Sequence, residues 1–492
     1  MQDLFKDKKR TKIKIALINI PDHGISGKGY SAPLGLAYIG AVLRNAGFEV
    51  KGFDLSSNKK LIINYYLQED KAFLDSLCVF NPHFIGMTCT TTNRINLNFW
   101  AETFKKYLPD VKIIVGGPHP SFLPESYLKT HLSVDLLVIG EGEVIIIDYL
   151  QVLLEGRDII TVKGIAFRDE NGAIKVNPSR SPIENIDEIP FPARDLFPMN
   201  EYDIKFGTII GKTATIITSR GCGNSCKFCS TTRYWKKVRF RSSQNIVDEI
   251  EYILNEFPFI KNIVFFDDTF TSNRDHAISV CKEIIRRGIK INWGCWSRTN
   301  ILDDEYLKIL SESGCTTLSF GIESGNDEML KVIRKNSSVE NNYKALTLPQ
   351  KYGILSRGTM ITGMPEEKFG WAVDSLLFMI RPGINYKSLQ ISFKTFIFPG
   401  TPWEKWFGEK FKDFSWESIP SRFKAGSFVD PFGNVILPCY RWRGVQYLML
   451  RALHKLMKYR FARKVFSLHL IQNIIRKIAY MFPEQYPKSI YE

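Results

Sequence analysis

The chain has 492 residues, and its 66 Lys and Arg against 51 Asp and Glu give a formal net charge of +15. Hydrophobic residues make up 44% and charged residues 24%, a composition typical of globular proteins and outside the range of disordered chains. The length allows two or three domains with separate cores. No run of eighteen apolar residues occurs, so the sequence predicts no membrane-spanning helix.

The first third alternates short apolar runs with helical patterns, which is typical of a doubly wound parallel sheet of the Rossmann-like type. We expect this domain to cover residues 1–160 and a helix to span 33–46. In such sheets, ligands bind at the carboxyl ends of the strands. The predicted strands cover residues 13–20, 48–54, 84–88, 111–116 and 135–139.

A change of composition follows, because several prolines break the pattern between the two larger units. We interpret residues 161–205 as a linker between domains. The prolines that mark it are Pro182, Pro190, Pro192 and Pro198.

The second unit, residues 206–403, repeats a strand and a helix six times. Six such repeats predict a partial (β/α)6 TIM-like barrel, with its active site at the carboxyl ends of the strands. The expected helices include 242–257 and 277–287. The predicted strands cover residues 214–219, 262–266, 291–296, 316–321, 355–361 and 388–393.

Three cysteines lie within eight residues of one another, at Cys222, Cys226 and Cys229. A structural zinc site usually needs a fourth Cys or His close by, yet the next histidine after the triplet is His276. Three thiolates on a cubane cluster instead leave one iron open to a substrate or cofactor. The spacing therefore favours a [4Fe-4S] cluster over a partial zinc knuckle or three unrelated thiols.

The other cysteines are sparse and irregularly placed, so they do not suggest a disulfide framework. Isolated thiols of this kind are usually small buried side chains, and unpaired thiols favour a reducing, cytoplasmic compartment. They are Cys78, Cys89, Cys281, Cys295, Cys315 and Cys439.

The triplet, with an aromatic residue just before its third cysteine, resembles the signature of the radical S-adenosylmethionine enzymes. Later segments also match that family's pattern, among them Phe-Asp-Asp-Thr-Phe-Thr at 266–271 and Gly-Ile-Glu-Ser-Gly at 321–325. The resemblance implies that the open iron chelates S-adenosylmethionine and that its cleavage gives a 5′-deoxyadenosyl radical. The residues it assigns to S-adenosylmethionine binding are Phe228, Asp267, Asp268, Arg298, Glu323, Ser324 and Met364. Of these, Phe228 and Met364 are expected to flank the adenine.

The first domain is similar to the cobalamin-binding domain found in many of these enzymes. The similarity lies in Gly-Gly-Pro-His-Pro at 116–120, Gly-Glu-Gly-Glu at 140–143 and the glycine-containing segment 33–40. Glycines at strand ends let the backbone approach a large flat corrin. The alternative is a Rossmann-like domain that holds nothing. The residues predicted to bind cobalamin are Leu34, Gly35, Thr88, Gly116, Gly117, His119, Gly142 and Glu143.

One segment departs from the pattern of those cobalamin proteins that ligate cobalt through a histidine. Their Asp-x-His spacing is absent, because Asp22 and His23 are adjacent here. Adjacent side chains in an extended loop point apart, so we do not assign His23 as an axial ligand.

The tail, residues 404–492, is expected to be a basic, mainly helical domain. It has no acidic residue between Pro431 and Pro483, and helices are predicted over 445–459 and 466–482. Basic amphipathic helices favour contact with an anionic membrane surface, whereas the alternative is a packed cap on the barrel with solvated charges. Nucleic-acid binding is the least favoured interpretation.

Together the domains resemble the cobalamin-dependent radical S-adenosylmethionine enzymes called class B methyltransferases. That resemblance implies methylation of an unactivated carbon of a small-molecule or lipid substrate, with an external flavodoxin- or ferredoxin-like electron donor. A radical cyclase or rearrangement enzyme without methyl transfer is the nearest alternative. A methylthiotransferase acting on tRNA and a non-catalytic cofactor sensor are less favoured. We expect a cytoplasmic protein, with the tail as a candidate contact to the inner membrane surface.

Overall fold

A computed structural model describes residues 13–21, 31–56, 70–405, 439–442, 444–459, 463, 465–466, 469–481 and 488–489. The segment that carries His23 lies outside these residues, as does much of the region between the barrel and the tail helices. Among the described residues, no helix is long and apolar enough to cross a membrane.

The first sheet has seven strands in the order β2-β1-β3-β4-β5-β6-β7. The first five strands are parallel, and β6 and β7 extend the sheet in antiparallel fashion. The strands are β1 (Lys14–Asn19), β2 (Glu49–Asp54), β3 (Phe84–Thr88), β4 (Lys112–Gly116), β5 (Leu136–Val138), β6 (Ile165–Arg168) and β7 (Ile174–Val176).

Helices cover both faces of this sheet, as the alternating pattern predicts. Side chains of α1 and α6 join the core on one face, and those of α2, α3 and α5 fill the core on the other. The doubly wound arrangement is therefore confirmed. The helices are α1 (Leu34–Asn45), α2 (Lys71–Phe80), α3 (Arg94–Tyr107), α4 (Pro118–Phe122), α5 (Pro124–Thr130) and α6 (Gly142–Leu154).

The segment expected as a linker is more ordered than its composition indicates. Its first part supplies β6 and β7, because Ile165, Ala166 and Phe167 are apolar and buried against the sheet. Its second part inserts Arg194 into the barrel core, where the side chain is fully buried. Arg194 Nη2 donates to the carbonyl of Thr215 at 2.8 Å and to Glu249 Oε1 at 2.5 Å.

The second sheet has the order β16-β15-β14-β13-β12-β9-β8. Six of its strands are parallel and follow one another in the chain, while β8 pairs antiparallel with β9 at one edge. The sheet does not close, which confirms the partial barrel. The strands are β8 (Asp203–Phe206), β9 (Ile209–Ile216), β12 (Asn262–Phe265), β13 (Asn292–Ser297), β14 (Cys315–Glu323), β15 (Leu355–Ile361) and β16 (Leu389–Ser392).

A small antiparallel pair, β10 (Ser219–Arg220) and β11 (Arg239–Phe240), flanks the cysteine loop. Helices alternate with the barrel strands as expected. They are α7 (Thr231–Trp235), α8 (Ser243–Glu256), α9 (Arg274–Arg286), α10 (Asp304–Glu312), α11 (Asp327–Val332), α12 (Val339–Thr347) and α13 (Phe369–Phe378).

The tail returns to the barrel. A small sheet joins β17 (Lys394–Phe396) to β18 (Cys439–Arg441) and β19 (Lys488–Ser489). Two helices lie in the chain between β18 and β19, α14 (Gly444–Leu456) and α15 (His469–Met481). The inner side of this unit packs into the main core through the buried side chains Trp442, Leu450, Met457 and Ala479. Trp442 Nε1 donates to Thr362 Oγ1 at 2.9 Å, just beyond the end of β15.

Candidate functional site

A cavity of about 460 Å³ opens where the carboxyl ends of the first sheet meet the cysteine-bearing face of the barrel. Its walls come from both domains, because Gly116 ends β4 and Gly140 follows β5 in the first sheet, whereas Thr231 and Asp268 belong to the barrel. The carboxyl ends of parallel strands are where open α/β sheets bind ligands. The position of this cavity therefore agrees with the site expected from the sequence.

The deep end of the cavity is an apolar slot between the first sheet and helices α1 and α6. Leu17, Phe84 and Gly86 line it from the strands, and Ile146 and Leu150 line it from α6. A Cβ at Gly86 would lie 2.8 Å from the Leu17 side chain, so the absence of a side chain keeps the slot open. A flat aromatic base fits such a slot, which agrees with the nucleotide tail of cobalamin.

Most of the residues predicted to bind cobalamin line this cavity. They are Gly35, Thr88, Gly116, Gly117, Gly142 and Glu143. Gly117 has a φ of 105°, and a Cβ there would lie 2.6 Å from the Cys89 carbonyl oxygen. This tight turn requires glycine and brings the backbone to the cavity wall.

Two of the predicted cobalamin residues are placed elsewhere. His119 is buried beneath the loop, where its Nδ1 lies 3.1 Å from Thr91 Oγ1 and burial lowers its pKa well below the usual value. Leu34 packs with Tyr38 and Ile186 in a small apolar cluster. Neither residue is among those lining the cavity, because the first turn of each helix directs these side chains into the protein.

The cysteine loop follows β10 directly. Cys226 is buried, Cys222 and Cys229 are partly exposed, and all three thiols are unpaired. The loop is held by its own hydrogen bonds: the Cys229 N–H donates to the Cys226 carbonyl at 3.1 Å, and Asn224 Nδ2 donates to Cys222 Sγ at 3.3 Å.

The thiol of Cys226 lies near charges of both signs, and Lys335 is the one that favours its thiolate form. Burial raises the pKa of the Cys226 thiol, and the nearby cation of Lys335 lowers it. Within the described parts of the chain, no three His, Cys, Asp or Glu side chains are arranged to hold a single metal ion. Each thiolate of a cubane binds a different iron, so a cluster does not require the convergence that one ion needs. The three thiols fit a [4Fe-4S] cluster.

Lys335 was not predicted from the sequence, and it joins the cysteine loop to β14. Its Nζ donates to Glu323 Oε1 at 2.8 Å and lies 5.8 Å from the centre of the Phe228 ring. Burial alone would lower the pKa of Lys335, but Glu323 and the thiol of Cys226 raise it instead. Glu323 itself has a φ of 60°, a conformation that side chains rarely adopt outside constrained sites.

The two adjacent aspartates after β12 face in different directions. Asp267 is buried and accepts hydrogen bonds from the Thr218 N–H at 2.7 Å and from Ser219 Oγ at 2.7 Å. Asp268 lines the cavity and accepts from Thr231 Oγ1 at 3.1 Å. The assignment of Asp268 to cofactor binding stays a prediction, whereas the described contacts of Asp267 support the strand that leads into the cysteine loop.

The remaining residues predicted for S-adenosylmethionine lie around the same end of the barrel. Arg298 Nη2 donates to the carbonyls of Lys335 and Asn336, each at 3.1 Å. Ser324 is buried, with its Oγ 3.0 Å from Ser375 Oγ. These contacts fix the loops beside Glu323, and the cofactor roles of Arg298 and Ser324 stay predictions.

Phe228 and Met364 were predicted to flank the adenine. Phe228 lies 6.3 Å from the Trp403 ring, centre to centre, and Met364 is fully buried. The Met364 N–H donates to Glu367 Oε2 at 3.1 Å, and burial raises the pKa of Glu367 to about 7. Neither contact tests the adenine assignment, which stays a prediction.

An ion-pair network joins the cysteine loop to the first domain. Arg220 Nη1 donates to Glu141 Oε1 at 2.7 Å, its Nη2 donates to Glu143, and Arg239 Nη1 donates to Glu141 Oε2 at 2.7 Å. All four side chains are less than a tenth exposed. Arg220 also lies between the rings of Tyr38 and Trp235, at 5.6 and 5.4 Å from their centres.

Sequence reasoning missed Arg220, although it precedes the triplet by two residues. A signal was present, because an arginine beside the cysteines and two glutamates in a glycine-rich loop are complementary. No pattern within either segment predicts that the two meet across 79 residues of chain.

Comparisons with known proteins agree with this arrangement. A model of the radical SAM superfamily matches residues 216–379, and a model of the B12 binding domain matches residues 23–149. The chain is 32% identical over 380 residues to an uncharacterized methyltransferase of Pyrococcus horikoshii, covering 76% of this chain and 78% of the relative. It is 27% identical over 355 residues to the anaerobic magnesium-protoporphyrin IX monomethyl ester cyclase of Rubrivivax gelatinosus, covering 71% and 62%.

The fold is also found among solved structures. The chain resembles the radical S-adenosylmethionine methyltransferase TsrM of Kitasatospora setae, solved with a tryptophan substrate and a cofactor analogue, with a TM-score of 0.68. The likeness covers 94% of this chain and 99% of that one at 19% identity. At this identity, the likeness establishes the common fold.

Proposed function

Because this chain belongs to the cobalamin-dependent radical S-adenosylmethionine enzymes, we propose that it transfers a methyl group to a carbon atom of its substrate. Its cofactors are a [4Fe-4S] cluster, S-adenosylmethionine and cobalamin. In this family these groups supply the methyl group, the electron and the radical that removes a hydrogen atom from carbon.

The observation that carries the proposal is the cavity shared by both domains. It reaches the apolar slot of the first sheet at one end and Ser230, Thr231 and Asp268 at the other. Ser230 directly follows Cys229, so the corrin site and the cluster loop border the same space. A substrate carbon held there would meet both groups without a separate encounter, which is the advantage that fixed orientation gives.

The residues of this chain have three tasks in that proposal. The three cysteines hold the cluster, and the glycines at the strand ends admit the corrin. The distance between the cluster and the corrin is fixed by Arg220, Glu141 and Glu143. The wall of Tyr38, Tyr234 and Trp235 limits the access of water to the cavity.

The proposal is tested anaerobically with the reconstituted enzyme, hydroxocobalamin, a strong reductant and S-adenosylmethionine labelled in its methyl group. We expect label on cobalamin together with 5′-deoxyadenosine, both followed by mass spectrometry. The matched control replaces Cys226 by Ala, which should abolish 5′-deoxyadenosine. Deoxyadenosine without any label on bound cobalamin would contradict methyl transfer.

Formation of 5′-deoxyadenosine without label on cobalamin would favour the alternative function, a radical cyclisation or rearrangement. The observation behind this alternative is the similarity to a cyclase of Rubrivivax gelatinosus. Methyl transfer is preferred because the relative with the higher identity, covering more of both chains, is named a methyltransferase. An external one-electron donor is part of either proposal.

For the substrate class, the tail helices favour a molecule presented at a lipid surface. Half of the large apolar side chains exposed among the described residues lie between Val445 and Met481. On α15, an exposed stripe at helical spacing consists of Leu470, Ile474, Ile478 and Met481, which are 70%, 46%, 49% and 82% exposed. Since the surrounding sequence has cations and no carboxylates, the surface complements an anionic bilayer.

Vesicle co-sedimentation tests this assignment. Changing Leu470, Ile474 and Ile478 together to Gln should abolish pelleting with phosphatidylglycerol vesicles, because the stripe is outside the core and its loss leaves folding intact. The control is a triple Gln variant of Val79, Leu132 and Ile210, which are 85%, 77% and 66% exposed on other surfaces. Equal pelleting of all three proteins would favour a small molecule taken from solution.

A further inference from the structure

A second cavity, of about 270 Å³, adjoins the first and has no part in the functions described above. The two share Gly140, Glu141, Tyr234 and Trp235 as a common wall. The second cavity lies between the end of α4, the loop after β5, residues 179–183 of the connecting segment and the end of α7. A ligand there would therefore touch the same aromatic wall that bounds the cofactor cavity.

The charge of this second cavity is positive. Arg180, Arg233 and Lys236 line it, and the carboxylate that lines it, Glu141, is already held by Arg220 and Arg239. Arg180 pairs with Asp148 at the edge. In the part of the chain that the structure describes, no carboxylate pairs with Arg233 or Lys236.

Arg233 is held in place by contacts with a carbonyl oxygen and an aromatic ring, neither of which is a counter-ion. Its Nη1 donates to the Gly400 carbonyl at 3.2 Å, and its guanidinium lies 6.0 Å from the centre of the Phe122 ring. A carbonyl and an aromatic face orient a guanidinium but do not neutralise it. Arg233 lines the cavity, and a guanidinium can bind two oxygen atoms of one oxyanion by two parallel hydrogen bonds.

Lys236 stands in a strained backbone conformation, with φ 61° and ψ −36°. Glycine would adopt this conformation without cost, yet the position holds a long cationic side chain at the cavity. Strain of this kind is concentrated at sites that bind ligands. The hydroxyl groups of Ser179 and Ser181 add further donors to the same lining.

We propose that this second cavity binds a phosphate-type oxyanion, either a phosphate, phosphonate or similar group of the substrate or the phosphodiester of cobalamin itself. Two unneutralised cations and two hydroxyls are the donor set that such a group requires. The assignment to a substrate rests on the proposed function, because it requires the substrate to occupy the cofactor cavity with its anionic end in the adjoining second cavity. The binding of the oxyanion does not depend on turnover.

The test is arginine labelling with phenylglyoxal in phosphate-free buffer, with peptide mass spectrometry of the full chain. Saturating inorganic phosphate should slow the labelling of Arg233 about tenfold at ten times its dissociation constant. Arg381 is the matched control, because it also lies over aromatic rings and has no carboxylate partner among the described residues. The variant Lys236→Gly removes one cation and relieves strain, so it should fold and lose most of the protection.

Running the test with and without bound hydroxocobalamin distinguishes the two sources. Protection by phosphate in both forms assigns the cavity to the substrate. Protection by cobalamin alone, with no further effect of phosphate, assigns the oxyanion to the cofactor and overturns the substrate assignment. If neither phosphate nor cobalamin slows the labelling of Arg233, the proposal is overturned, whatever the result of the methyl-transfer assay.

Discussion

Asp267 connects β12 to the entry of the cysteine loop through the hydrogen bonds that it accepts from Thr218 and Ser219. Burial raises its pKa from 3.8 to about 6, against the opposing effect of those hydrogen bonds. The folded protein therefore binds this proton more tightly than the unfolded chain. Its contribution to stability is full below pH 3.8 and is lost as the pH rises through about 6, at most about 3 kcal/mol.

We expect Asp267→Asn to remove that part of the pH dependence. The amide keeps one acceptor, and the hydroxyls of Thr218 and Ser219 can rotate to accept from its nitrogen. Urea unfolding of the cluster-free protein between pH 4 and 7 should give a flatter profile for the variant than for the parent. Profiles that run parallel would show that Asp267 does not titrate in this range.

Single residues show which parts of the site the sequence can predict. The grouping of the three cysteines on one loop and the position of the glycines at the cavity wall are predictable, because they depend on local spacing and backbone freedom. The inward direction of Asp267 and His119 is not predictable, since adjacent residues of one loop can face opposite ways. The pairing of Lys335 with Glu323 depends on the turn between α11 and α12, which returns the chain to the end of β14 and which no local pattern specifies.

At the scale of elements, the β10–β11 pair couples the cluster loop to the cobalamin domain. Arg220 and Arg239 stand directly opposite each other in the antiparallel register. Two like charges in that position would repel, and Glu141 from the start of α6 bridges them. The carboxylate of one domain thus stabilises a hairpin of the other.

We expect Arg220→Gln to uncouple methyl transfer from the formation of 5′-deoxyadenosine. Methyl transfer should fall about 100-fold, because the corrin and the cluster lose their fixed geometry, while most 5′-deoxyadenosine formation persists. Parallel assays of both products measure the ratio. Arg274→Gln is the control, since it removes an exposed arginine pair with Asp303 at the barrel surface. An equal loss of both products would mean that Arg220 supports only folding.

The strands illustrate why some elements were predicted and others were not. Apolar runs such as β3 and β15 are bounded by turns, and the predicted limits coincide with those of the structure. β6 and β7 are short and lie before a proline-rich stretch, so composition indicated a linker. The pairing of β6 with β5, on which β7 then adds, joins segments that are far apart in the chain, and local patterning does not encode it.

For the whole molecule, cobalamin should stabilise both domains together because each contributes a wall of its cavity. At 100 times the dissociation constant, binding adds about 2.7 kcal/mol to the free energy of unfolding. We expect slower hydrogen exchange at the ends of β4 and β5 and also in α7. Exchange in α12, on the outside of the barrel, is the control. Protection confined to the first domain would mean that the cavity does not bind the cofactor from both sides.

The buried contact of Arg194 with Glu249 restricts how the two domains can move during substrate entry and product release. Withdrawing Arg194 would break one of the two arginine pairs of the fully buried Glu249, the other being with Arg241, so the connecting segment is anchored to the barrel and does not serve as a free hinge. Opening the protein like a clamshell would expose this pair and the Arg220 network at once. We therefore expect substrates and products to enter and leave without separation of the two domains, so that the loops around the cavity limit the size of molecule that the enzyme accepts.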